Sequence, residues 1–157
     1  MKSQQIILAS DHAGFALKEA VKSFLQKRGD TIVDIGAHVL TDGDDYPTYM
    51  AQAGLKVAED MSGNTKAIIF GGSGQGEAMT ANRFPGVRAV VWYGDAPNKE
   101  LDIIKLSREH NDANVLSIGA RFVSEKETLE AIEKWLATPF GGDERHARRN
   151  ELIDNIE

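Results

Sequence analysis

The chain has no cysteine, so it can form no disulfide, has no thiolate nucleophile and offers no thiolate to a metal. It also lacks any run of about 18 apolar residues, and no basic segment leads into an apolar one, so neither a membrane span nor a signal peptide is expected. Positive charge is the scarcer sign, with 18 Lys and Arg against 24 Asp and Glu, a net charge of −6 and a pI near 5.2. That balance argues against general affinity for nucleic acid or an acidic membrane, while leaving room for a local basic patch that holds one phosphate. Histidine is sparse too: His12, His38, His110 and His146 are scattered, with no His-x-x-x-His spacing, so no metal site is expected. Acid–base chemistry therefore falls to carboxylates and these four histidines. With 157 residues and neither repeats nor low-complexity tracts, the reading is one domain over residues 1–157, cytoplasmic by default.

What the chain does have is a regular alternation organised around Ile68-Ile69-Phe70-Gly71-Gly72-Ser73-Gly74-Gln75-Gly76-Glu77. A short apolar run breaks into four glycines within six residues, and a carboxylate arrives as the next helical pattern begins. Glycines let the backbone approach a ligand, and a helix N-terminus offers free N–H groups, so the stretch suits an anionic group. Apolar runs at residues 5–9, 31–36, 67–70, 87–93 and 114–118 read as strands. Helical patterns follow Gly14, Pro47, Gly74, Leu101 and Ser124, the last opening on a Ser124-Glu125-Lys126-Glu127 capping box. A sixth helix is expected over about residues 142–156.

Five strands alternating with helices predict an α/β doubly wound, three-layer sandwich: a five-stranded parallel sheet covered on both faces, with an extra C-terminal helix. Ligands of such sheets sit beyond the carboxyl ends of the strands, where the winding reverses. With strand order 2-1-3-4-5, that point lies between the first and third strands. The polar loops Ser10–Gly14 and Gly71–Glu77 then face each other across one crevice.

Each candidate residue has a plain alternative. The glycine loop has neither a Gly-Lys-Ser/Thr ending nor glycines at i, i+2 and i+5, so nucleotide binding loses support; a tight turn without ligand stays open. Glu77 is either an acidic residue favoured by the helix dipole or a general base, with the loop N–H groups and Ser73 holding an oxyanion. Asp11 and His12 are either surface residues or ligand groups at a central strand exit. His110 and Asn111 lie in a polar loop that is either solvated or part of a site, His110 moving a proton and Asn111 donating to an oxygen. Arg145 and Arg149, at i and i+4, form either a solvated basic patch or a phosphate clamp. Leu152, Ile153 and Ile156 give the same helix an apolar side suited to docking. Trp92 and Tyr93 suit a core and pocket rim or the flanks of a flavin, which keeps a flavodoxin-like ligand-binding module as a second reading.

Taken together, Ser10-Asp11-His12-Ala13-Gly14, Asp45-Tyr46-Pro47, the glycine loop through Glu77, Gly86-Val87-Arg88-Ala89, Arg108-Glu109-His110-Asn111, Gly119-Ala120-Arg121 and Arg145-His146-x-x-Arg149 resemble the type B ribose-5-phosphate isomerases. The wider family includes the galactose-6-phosphate isomerase subunits, and the resemblance runs from about residue 5 to residue 150. It implies a flavodoxin-like, Rossmann-like fold and a metal-free aldose–ketose isomerase, without cofactor, acting through a cis-enediol(ate). It also implies a homodimer or tetramer with its active site at the subunit interface. By position, Asp11 and His110 serve ring opening and proton movement, and His12 lies near the phosphate. Gly72, Gly74, Gly76, Ser73 and Asn111 stabilise the enediolate; Arg121, Arg145 and Arg149 bind phosphate, the last two from the partner subunit. Family members use as base either a cysteine just before the glycine loop or a glutamate after it. The cysteine position is Gly71 here, which implies Glu77. The most direct expectation is conversion of ribose 5-phosphate to ribulose 5-phosphate, with a tetrose or hexose phosphate as the alternative. The connection over residues 93–100 is longer than the family pattern and bears on substrate choice.

Overall fold

The computed structural model describes residues 4–98 and 100–157; Lys99, within the long 93–100 connection, lies outside the described residues. The elements alternate as expected: β1 (Gln5–Ser10), α1 (Phe15–Arg28), β2 (Thr31–Gly36), α2 (Tyr46–Glu59), β3 (Lys66–Gly71), α3 (Gln75–Ala81), β4 (Ala89–Trp92), α4 (Ile103–Glu109), β5 (Val115–Gly119), α5 (Glu125–Ala137) and α6 (Glu144–Asp154). Local chemistry explains several boundaries. Gly29 ends α1 in the left-handed conformation, with φ of 92°, which glycine adopts without a Cβ penalty. Pro47 lies in the first turn of α2, where its missing N–H costs nothing. At α5 the capping box forms in full, Ser124 accepting from Glu127 N–H and Glu127 from Ser124 N–H.

All five strands are parallel. Their side chains alternate between two cores. Ile6, Leu8, Ile68, Phe70, Leu116 and Ile118 face one core with Val21, Leu25, Ile104, Ile132 and Trp135. Ile7, Ala9, Ala67, Ile69 and Val115 face the other with Met50, Ala53, Val57 and Ala81. Thus α1, α4 and α5 cover one face, and α2 and α3 the other. No helix among the described residues is long and apolar enough to cross a membrane.

The strand order is β2-β1-β3-β5-β4, which corrects the expected 2-1-3-4-5 in its last two places. Handedness gives the reason. A right-handed crossover that steps back toward β3 must lay α4 on the α1 side of the sheet, and Ile104 of α4 does pack with Trp135 and Leu25 there. Burial agrees: every residue of β5 is buried, whereas only Trp92 is buried in β4, as befits an edge. The reversal between β1 and β3 is as expected. The 93–100 connection consequently leaves the sheet edge, where the Tyr93 ring packs on Phe122 at 5.8 Å and Trp92 Nε1 donates to Asp95 at 3.3 Å.

Candidate active site

At the carboxyl end of β3 the backbone turns through the glycine loop, and Gly74, with φ of 78°, caps α3. Its neighbours require the glycines. A Cβ at Gly71 would coincide with the Glu77 carboxylate, and one at Gly76 would strike the Tyr46 hydroxyl. A Cβ at Gly72 would stand 3.1 Å from Arg121 Nη1. β5 and the two residues after it hold the loop from the other side: Ser117 Oγ donates to Gly74 O at 2.7 Å, Ala120 N–H to Gly71 O at 2.8 Å and Arg121 N–H to Gly72 O at 3.2 Å. The small residues Ser117 and Gly119 are what allow that approach; a Cβ at Gly119 would lie 2.7 Å from Ser73 O.

Glu77 is 3% exposed. Burial pushes its pKa above the ordinary value, the charge of Asp11 adds to the rise, and the N–H groups of Glu77 itself and Gly74 pull the other way. A carboxylate raised by burial, beside a loop of backbone N–H groups, combines a stronger base with donors for an anion. Ser73 is exposed, and its Oγ accepts from Gln75 N–H at 3.3 Å.

Across the crevice, Asp11 Oδ1 accepts from Ala13 N–H at 2.9 Å and Gly14 N–H at 3.2 Å. Asp44, a residue the sequence reading passed over, grips His12 twice, accepting its backbone N–H and facing its Nδ1, each at 2.8 Å. Tyr49 Oη donates to the other Asp44 oxygen at 3.1 Å. The Asp44 hydrogen bond raises the His12 pKa, burial opposes it, and the Asp11 charge adds to the rise. Nδ1 is thereby engaged and Nε2 left for a ligand, the tautomer following from the partner. Asp11, His12 and Asp44 form a group whose ligand atoms lie within 4.8 Å of one another; if any cation were held here, these three residues would hold it.

The remaining expected residues gather elsewhere. His110 caps α4 and stacks on His146 with ring centroids 4.0 Å apart and planes 13° from parallel. Arg145 Nη2 lies 3.4 Å from His146 Nε2, and Asn150 Nδ2 donates to His110 O at 3.1 Å. Burial lowers the His146 pKa, with the charges of His110 and Arg145 acting in the same direction. Asn111, Arg145 and Arg149 are exposed. Residues 110–114 are fixed where the strands begin, since Asn114 O accepts from Ala67 N–H at 2.9 Å and Asn114 Oδ1 from Arg88 N–H at 2.8 Å. Glu77 stands where the strands end. At about 3.3 Å per residue, a strand of this length separates those edges by roughly 16 Å. One protomer thus brings together Asp11, His12, Gly72–Glu77 and Arg121, and separately His110, Asn111, Arg145 and Arg149.

Trp92 is core, 3% exposed, with its indole nitrogen bonded to Asp95, so it presents no free face to a flavin. Of the neighbours that sequence reasoning missed, Ser117 carried a signal as a lone hydroxyl in an apolar strand. Asp44 carried none beyond its place in an acidic turn.

A family model described as Ribose/Galactose Isomerase matches residues 6–153. Ribose-5-phosphate isomerase B of Escherichia coli strain K12 is 36% identical over 155 residues, covering 98% of this chain and 97% of that protein. The Mycolicibacterium paratuberculosis protein of the same name is 34% identical over 154 residues, covering 98% and 91%. Among solved structures, ribose-5-phosphate isomerase B from Mycoplasma genitalium with bound ribulose-5-phosphate superposes with a TM-score of 0.87 at 32% identity, covering 96% of this chain and 93% of that one. With similarity running nearly end to end in both sequence and fold, the chain belongs to the ribose/galactose isomerase family.

Proposed function

We propose that the chain interconverts ribose 5-phosphate and ribulose 5-phosphate through a cis-enediolate, with Glu77 as the base. The observation that carries this reading is the buried Glu77 carboxylate, its pKa raised, lying over Gly71 at the mouth of a loop of backbone N–H groups. Relatives named ribose-5-phosphate isomerase B, and one solved with ribulose-5-phosphate, support the pentose.

Asp11 and His110 open the ring, one taking the proton of the anomeric hydroxyl and the other giving one to the ring oxygen. Glu77 then removes the proton from C2. The C–H electrons form the C1–C2 double bond, and the carbonyl electrons move onto O1. The N–H groups of Gly72–Gly76, with Ser73 and Asn111, hold that oxyanion. Glu77 returns its proton to C1 while the O2 proton passes to O1, giving the ketose. His12, Arg121, Arg145 and Arg149 bind the phosphate, the arginines through forked guanidinium contacts.

The complete site takes its two halves from two copies. Glu77, Asp11, His12 and Arg121 come from one protomer, and His110, Asn111, Arg145 and Arg149 from the other, because the two groups stand at opposite sheet edges in one chain. Exposed apolar side chains support such an interface at both ends: Val39, Leu40, Met79, Tyr93 and Phe122 on one side, and Leu152 and Ile153 on α6 with Ile156 just beyond it on the other. A two-fold contact that joins unlike patches makes two equivalent sites per dimer.

Assays of kcat/KM with four-, five- and six-carbon aldose phosphates test the substrate. The pentose is expected to lead; a tetrose or hexose phosphate in first place would replace the substrate while leaving the chemistry.

A further inference from the structure

Arg88 has no part in the chemistry above, yet it touches both carriers of the second half-site. Its side chain is 16% exposed. Nε donates to Asn111 O at 2.9 Å and Nη2 to Asp112 O at 3.2 Å, while Nη1 donates to both oxygens of Asp154 at 2.9 and 2.7 Å. One planar fork therefore grips the loop bearing His110 and Asn111 and the end of the helix bearing Arg145 and Arg149. The loop has a reason to need a grip. Asp112 takes φ of 44°, the one non-glycine residue with positive φ among the described residues. For a residue with a Cβ that conformation costs about 1–2 kcal/mol and persists only where its surroundings enforce it.

The other ties between loop and helix are slighter: the stack of His110 on His146 and one hydrogen bond from Asn150 to His110 O, with Asn150 Oδ1 left without a partner. α6 otherwise exposes Arg145, Arg149, Leu152 and Ile153, so the Asp154 end needs an anchor of its own. We infer that Arg88 is a positioning residue: it locks the His110–Asn111 loop and α6 into one unit, so that proton handling and phosphate clamping reach the neighbouring Glu77 half-site in a fixed relation. The inference rests on the proposed two-copy site. Arginine is required because an ammonium is a point charge and cannot bridge two carbonyls and a carboxylate in one plane.

Four variants test this, with fold and oligomeric state checked by circular dichroism and sedimentation. Arg88→Ala should lower kcat about tenfold, since small misplacements of reacting groups carry such losses, and should raise KM. Asp154→Asn frees only the helix, so KM should rise several-fold with kcat near wild type. In the double variant the KM effects should not add, because both act through one contact. Arg88→Lys, the milder change should the alanine variant fail to fold, keeps a charge for Asp154 but loses the fork. Its KM should stay near wild type while kcat remains low, a split that mere loss of folded protein would not give. Independently of turnover, the NMR imidazole signals of His110 and His146, which shift each other by stacking, should move in the Arg88 variants without any substrate. Unmoved signals, additive KM effects or a parallel fall in all parameters would overturn the role of Arg88. Signals that move while kcat and KM stay at wild-type values would instead remove His110 from the reaction, and the inference would fall with that reading.

Discussion

The two ends of the sheet carry the two groups of proposed site residues, and they are built in opposite ways. Around Glu77 the chain is buried and tightly fitted: the carboxylate fills the space a Cβ at Gly71 would need, Tyr46 closes over Gly76, and β5 with the two residues after it fastens the loop with three hydrogen bonds. Around His110 the groups are exposed or half-exposed, and they rest on a histidine stack, one asparagine and one arginine fork. A base gains strength from burial, whereas a phosphate clamp must be open to receive a charged ligand from water. Each group has the environment that its proposed task requires, and in the two-copy reading neither is a site alone.

Removing the base should have the largest effect. Glu77→Gln keeps the shape and loses the proton acceptor, so kcat should fall by about 10³-fold with little change in the affinity for phosphosugar; near-normal turnover would break the assignment. Gly71→Ala attacks the same half through packing alone. Its Cβ claims the carboxylate's place, and displacing the base should cost about 10²-fold in kcat, with thermal stability measured alongside to register the collision. On the open half, Arg145→Ala should act mainly on binding. Loss of one charge-assisted contact of about 1.5–3 kcal/mol corresponds to roughly a tenfold or greater rise in KM, and an unchanged KM would take Arg145 out of the phosphate site.

The smallest effect concerns stability. Because the folded-state pKa of Glu77 lies above its ordinary 4.5, the native chain holds that proton more tightly than the unfolded one. Its contribution is thus fully present below the ordinary value and lost as pH rises through the raised one. At pH 7 the buried charge is a penalty that glutamine lacks. Glu77→Gln should therefore melt about 2–4 °C higher at pH 7, and the gain should vanish as pH falls below the ordinary carboxylate value. A variant that melts lower at pH 7 would mean that the carboxylate is stabilised rather than strained by its burial.

The Glu77 half was the more legible in the sequence, because its determinants are local. The glycine loop, the acidic residue after it and the polar exit of the first strand are contiguous stretches, and the reversal between the first and third strands needs only the alternation of elements. The exchange of β4 and β5 was not legible, since residues 87–93 and 114–118 are both short apolar runs. Only the face taken by α4 and the small residues Ser117 and Gly119, which admit the glycine loop, decide which strand lies inside. The resemblance implied Arg145 and Arg149 from a partner subunit, but that His110 and Asn111 stand on the same side as these arginines was hidden for a similar reason. His110 precedes β5 and Arg121 follows it, so residues close in sequence lie at opposite edges of the sheet. Asp44 escaped notice, and Arg88 stood within the Gly86-Val87-Arg88-Ala89 motif without a role, because each touches the residues it holds rather than a ligand, and nothing in their own spacing marks that.

The measurement that bears most directly on a site shared between copies is complementation. Glu77→Gln and His110→Asn chains, each expected to be nearly inactive alone, are unfolded together and refolded as a mixture. If each site joins Glu77 of one chain to His110 of another, a mixed dimer carries one intact site, and random pairing should restore about a quarter of wild-type activity. If Glu77 and His110 served one site within a single chain, no mixed dimer would hold a complete set, and the mixture would stay as inactive as its components.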